Sequence, residues 1–203
     1  MVTRGLHSFK YGRIQIRASL AKCKARGTWP ALWMLPEDKV YGEWPNSGEI
    51  DLMESVGHET NLFHQTVHTA TYNGMIGTQQ GRKVSRSKDD FHTWEIDWQE
   101  DIIKFAVDGQ VYFKYNKSGG SAVWPFDQRF HLILNLAVGG TWGGANGVDG
   151  AAFEGKGQTM EVDWIRVYGD ASPPPSISPS STPTTSLPTI QPTKTVSHVI
   201  TDS

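Results

Sequence analysis

Cysteine is almost absent. Cys23 is the single one in 203 residues, which excludes an internal disulfide and a Cys-rich metal site. No apolar run reaches the roughly 18 residues of a membrane-crossing helix, so no membrane partner is expected. Met1 to Phe9 lacks the apolar core of a signal peptide. An excess of one charge is also missing. Lys and Arg total 19 against 21 Asp and Glu, a net of −2, which argues against a basic face for nucleic acid. No stretch carries a capped amphipathic helical pattern. What is plentiful is tryptophan and glycine, 8 and 21 residues, a mix that suits strands, tight turns and flat apolar side chains.

The composition divides the chain near residue 170. Residues 171–203 hold 7 of the 11 prolines and 15 Ser or Thr, without Gly, Trp, Tyr or Phe. A segment so poor in apolar surface cannot offset its ordering entropy. It is expected to be a disordered linker toward a further module, or an inert tail. Residues 1–170 carry every Trp, Tyr and Phe and read as one domain.

The periodicity of that domain is two. Ile14, Ile16, Ala18 and Leu20 alternate with Arg13, Gln15, Arg17 and Ser19, and Phe130, Leu132, Leu134, Leu136 and Val138 do the same over 129–138. Ile103, Phe105 and Val107 run into Asp108-Gly109 and then Val111-Tyr112-Phe113, a hairpin with a strong turn signal. Further strands are expected over 6–11, 28–35, 49–56, 62–69, 91–98 and 160–168. Many strands joined by Gly-rich turns imply an all-β sandwich or jelly roll.

Glu49, Asp51 and Glu54 place three carboxylates within one otherwise apolar strand. Glu49 and Asp51 share a face by alternation. Strict register sends Glu54 to the other face, whereas a bulge at Leu52–Met53 returns it to theirs. Crowded acids raise one another's pKa, which suits a retaining glycosidase: an ionised nucleophile and a protonated donor about 5–5.5 Å apart. Such a row also fits a solvated strand face, or a Ca²⁺ site. Trp29 and Trp33 fall on one face of their strand, Trp44 precedes Glu49 by five residues, and Trp142 sits in the glycine loop 138–144. Flat indoles near carboxylates suit sugar rings, and equally suit a core; Trp94 and Trp164 are assigned to the core. His68 is placed to orient Glu54 or bind a hydroxyl, or is simply a polar strand residue. Asn135, inside an apolar strand, ties a loop or touches substrate.

Gly48-Glu49-Ile50-Asp51-Leu52-Met53-Glu54 resembles the E-x-D-x-x-E signature of glycoside hydrolase family 16. The likeness extends through Phe9–Arg13, Gly27–Leu35, Trp44–Gly48, Trp98–Gly109, Asn135–Gly144 and Val162–Tyr168, over about residues 4–169, and is similar to the laminarinase branch. The resemblance implies a concanavalin A-like jelly-roll β-sandwich with an open cleft on its concave face. It implies retaining endo-hydrolysis of β-1,3-glucan, with Glu49 as nucleophile, Glu54 as acid/base and Asp51 between them. Trp29, Trp33, Trp44, His68 and Trp142 match positions that line or border the cleft. Glu54 is expected to keep its proton to higher pH while Glu49 is ionised. No cofactor is required for this chemistry. Asp163 matches a position that contributes to a structural Ca²⁺ site in many relatives, and equally reads as a surface carboxylate. The resemblance further implies an extracellular monomer whose partner is β-glucan polysaccharide. Family domains begin earlier, so the catalytic domain is read as N-terminally truncated, with an open edge beside Met160–Tyr168. A non-catalytic β-glucan-binding protein and a transglycosylase remain alternatives on the same fold.

Overall fold

The computed structural model describes residues 1–169; the Pro/Ser/Thr-rich segment 171–203 lies outside the described residues. Eleven strands follow in order: β1 (Ser8–Phe9), β2 (Gly12–Lys22), β3 (Thr28–Pro36), β4 (Glu49–Glu54), β5 (Leu62–His68), β6 (Gln80–Ser85), β7 (His92–Trp98), β8 (Ile102–Val107), β9 (Gln110–Asn116), β10 (Phe130–Val138) and β11 (Thr159–Tyr168). They form two antiparallel sheets, one ordered β1-β10-β3-β4-β5-β6 and the other β11-β2-β7-β8-β9. This is the all-β jelly-roll sandwich.

The alternating residues do what their period dictates. Ile14, Ile16, Ala18 and Leu20 of β2 are at most 2% exposed, and they meet Leu32, Met34, Ile50, Phe63 and Leu132 from the other sheet in one core. Asp108 and Gly109 both adopt positive φ, 51° and 79°, the geometry of a two-residue hairpin turn that matches strand twist. The strand expected over 6–11 shrinks to Ser8–Phe9, because Tyr11 and Gly12 turn to φ of 65° and 106°. β6 escaped the pattern. Its sequence, Gln-Gly-Arg-Lys-Val-Ser, carries one buried apolar residue, Val84, as befits a charged edge strand.

Trp164 is not in the core. It is half-exposed, under the Arg166 guanidinium at 4.1 Å. A bulge explains the reversal. Val162 pairs with Ala18 but Trp164 pairs with Arg17, so Asp163 is an extra residue and every later side chain changes face. Ile165, opposite Ile16, takes the inward place. Trp94, by contrast, is 1% exposed.

Candidate active site

β4 has the inferred bulge. Leu32 pairs with Met53 and Trp33 with Asp51, which leaves Leu52 without an opposite residue on β3. On the other side Asp51 pairs with Thr66 and Glu54 with His64, so that Leu52 and Met53 stand against Gln65 alone. The extra residue lets Ile50, Leu52 and Met53 all bury inward, each 0% exposed, while Glu49, Asp51 and Glu54 share the face turned away from the core. Gly48, at φ 85°, feeds the chain into β4 under Pro125 and Phe126.

The sequence-derived candidates gather around this row. The Trp29 indole N–H donates to Glu54 at 3.0 Å, and the Trp44 indole N–H donates to Glu49 at 2.6 Å. Trp33 donates to Asn135 across the β3–β10 ladder at 2.7 Å, and Trp33 is the register partner of Asp51. Asn135 thereby ties two strands of the cleft floor. Trp142 stands edge-on to Trp29, ring centroids 5.4 Å apart, and edge-on to His64 at 4.7 Å. The loop that carries Trp44 is pinned from both sides: Gln128 accepts from the Val40 amide and donates to the Ser47 carbonyl.

His68 lies 3.3 Å from Asp51 and 4.0 Å from Glu49. Its Nδ1 accepts the Gly74 amide N–H at 3.0 Å. The neutral ring therefore carries its proton on Nε2, the nitrogen nearer the two carboxyls, without completing a hydrogen bond to Asp51. Glu49, Asp51 and His68 could together approach one cation, their nearest ligand atoms within 4.8 Å of one another. The Gly74 contact opposes this, because it places the proton on the nitrogen a metal would need bare.

Burial dominates the electrostatics. Desolvation and then Asp51 push the Glu49 carboxyl well above the usual carboxylate range, against the Trp44 hydrogen bond. Asp51, wholly enclosed, is pushed up by desolvation and by Glu54. Both of its oxygens lack a hydrogen-bond donor, so a proton shared with Glu49 is what reconciles the pair. Glu54 rises to about 7 through desolvation, moderated by the Trp29 N–H. The expectation of an ionised Glu49 beside a neutral Glu54 is thus too simple: all three acids rise, because burial outweighs the hydrogen bonds.

The family model described as Glycosyl hydrolases family 16 matches residues 3–166. The chain belongs to family 16 of the glycosyl hydrolases. It is 46% identical over 178 residues to a beta-glucanase of Rhodothermus marinus, covering 83% of this chain and 60% of that protein. It is 37% identical over 180 residues to glucan endo-1,3-beta-glucosidase A1 of Niallia circulans, covering 82% of this chain and 25% of that protein. The solved laminarinase of Rhodothermus marinus superposes with a TM-score of 0.78 at 46% identity, over 83% of this chain and 69% of that one. The chain therefore spans 60% or less of the length of these two relatives.

Asp163 stands apart from this family-16 cleft. The β11 bulge aims it at Arg17, with which it pairs at 2.5 Å, while the Arg17 guanidinium also covers Phe91. Among the described residues, Asp163 joins no cluster of three His, Cys, Asp or Glu side chains.

Sequence reasoning missed two residues near the family-16 row. His64 faces the cleft beside Glu54 and is held by Glu59 at 2.6 Å; burial lowers its pKa. Gln65 lies on the inward face of β5, wholly buried. The signal was present: within His64-Gln65-Thr66-Val67-His68 a polar amide occupies a core position.

Proposed function

We propose that the chain is a retaining endo-β-1,3-glucanase, with Glu49 as nucleophile, Glu54 as acid/base and Asp51 as the proton-holding partner of Glu49. The observation that carries this reading is the bulged row of three acids, Asp51 buried and Glu49 and Glu54 partly buried, each end hydrogen-bonded by an indole N–H. Glu54, still protonated near neutral pH, gives its proton to the departing glycosidic oxygen. Glu49, its share of the proton retained by Asp51, attacks the anomeric carbon. Glu54 then deprotonates water, which opens the glycosyl-enzyme with the original configuration restored. Trp29, Trp33, Trp44 and Trp142 offer flat faces for sugar rings, and His68 with Asn135 offers polar contacts. The names borne by the relatives favour β-1,3 linkages. A polysaccharide substrate also favours an extracellular site of action, since the polymer does not cross a membrane.

The test is a panel of β-1,3-, mixed β-1,3/1,4- and β-1,4-glucans with products resolved by size. Proton NMR of the first-formed reducing end supplies the stereochemistry. Internal cleavage of β-1,3-glucan with a β-anomeric first product is expected. Binding without turnover would turn the reading toward a glucan-binding protein. A first-formed α-anomer would falsify Glu49 as nucleophile.

A further inference from the structure

The β4 bulge has a polar anchor inside the core. Leu52, the extra residue, has no register partner on β3 or β5, and its carbonyl is met by the Gln65 side chain, Nε2 to O 3.3 Å. The same nitrogen donates to the carbonyl of Ala106 at 3.3 Å. Ala106 sits at a second irregularity, where β8 pairs Phe105 with Phe113 but Ala106 with Val111. One amide therefore bridges the two sheets at their bulges. Two carbonyls flank the same atom, so that atom is the NH2 group. The other end, Oε1, is buried without a donor, a cost of the kind a core rarely carries. A methionine or leucine would fill this place without that cost, so packing alone does not account for glutamine here.

We propose that Gln65 is a positioning residue for Glu54, holding the bulge that sets the acid/base relative to Glu49. The role presupposes the glucanase reading of the row. Without the Nε2 donor, the Leu52 carbonyl loses its buried partner and the bulge relaxes or migrates along β4. Glu49 and Asp51 precede the bulge and stay paired with His68 and Thr66. Glu54 follows it and moves.

Gln65→Met, near in volume and without a donor, tests this in the whole chain. Glucan needs a proton from Glu54, whereas 2,4-dinitrophenyl β-laminaribioside does not. Misplacement of an acid/base by about 1 Å costs on the order of 10²-fold. The expected result is a loss of that order in kcat/KM on glucan, with the aryl substrate changed by less than about 3-fold. A second readout is independent of turnover: the Trp29 and Trp44 indole N–H resonances, which report on Glu54 and Glu49 respectively. In Gln65→Met the Trp29 signal and its pH midpoint shift, while those of Trp44 hold. If the variant does not fold, Gln65→Asn keeps the amide but is too short to span both carbonyls, and gives the same pattern more weakly. Equal losses on both substrates with unmoved Trp29 resonances, or failure of both variants to fold, would make Gln65 an ordinary core residue and overturn the proposal. If the unaltered chain cleaves neither substrate, the glucanase reading falls, and the indole resonances alone decide the role of Gln65.

Discussion

Glu54 keeps its proton at a pH where an exposed glutamate has lost it, because its carboxyl is desolvated beside two other acids. The linkage has a definite sign. Folding raises this pKa from 4.5 to about 7, so the folded state binds more protons, and its advantage is lost as pH rises from about 4.5 through 7. Glu54→Gln removes that liability. It should raise the melting temperature at pH 8 and change it little at pH 4; an equal effect at both would show that Glu54 is not the group responsible. Catalysis reads the same proton from the other side. The kcat/KM profile on glucan should fall along a basic limb with a midpoint about 7. The Trp29 N–H lowers the Glu54 pKa by favouring the charged form. Trp29→Phe should therefore move that limb to higher pH while keeping an aromatic face; a limb that stays put or falls would remove Trp29 from the control of Glu54. These acids were legible in the sequence because charge inside an apolar strand is conspicuous. Their protonation was less so, since burial depends on side chains from four strands that spacing does not display.

At the scale of elements, β4 works because its entry is fixed. A Cβ on Gly48 would fall 2.7 Å from Pro125 and 3.0 Å from Phe126, at a φ that disfavours any side chain. Gly48→Ala should destabilise by about 1–3 kcal/mol, measured by urea unfolding, with a further loss of activity as Glu49 is re-aimed. A variant as stable as the parent would show that the 125–126 segment yields freely. Strands with one apolar face were readable by period: β2, β3, β5, β7, β8 and β10 fall within a residue or two of their expected bounds. β6 was not readable, since an edge strand with one buried side chain lacks the pattern. Bulges divide the two cases further. The one in β4 could be inferred, because a face-sharing third acid demanded it. The one at Asp163 left no such clue, and Trp164 was misplaced by one parity step. Gln65 was overlooked because its contacts are with the carbonyls of Leu52 and Ala106 at the two irregularities, not part of a pattern of its own.

At the scale of the molecule, β11 pairs only with β2 among the described residues. Its inward-facing Val162 and Val167 remain 38% and 36% exposed. An apolar edge with free backbone groups invites pairing between chains. Val162→Lys should lower self-association in multi-angle light scattering at high concentration, with the acid row untouched; unchanged scattering would clear this edge. The order of strands also has a consequence in time. β3, β4, β5 and β6, residues 28–85, form a consecutive run, but β3 pairs on its other side with β10, which begins at residue 130, and β2 pairs with β11, which begins at residue 159. During synthesis the acid row is made before the partners, β10 and β11, that pair with β3 and β2. Contacts this distant along the chain form slowly, on the millisecond-to-second scale or beyond. Until residue 135 arrives, Trp33 has no Asn135 to hold it. Until β7, β8 and β9 are made, Ile50, Leu52 and Met53 lack most of the opposing sheet, so the nascent chain is most open to misassociation while its acid-bearing strand is already complete.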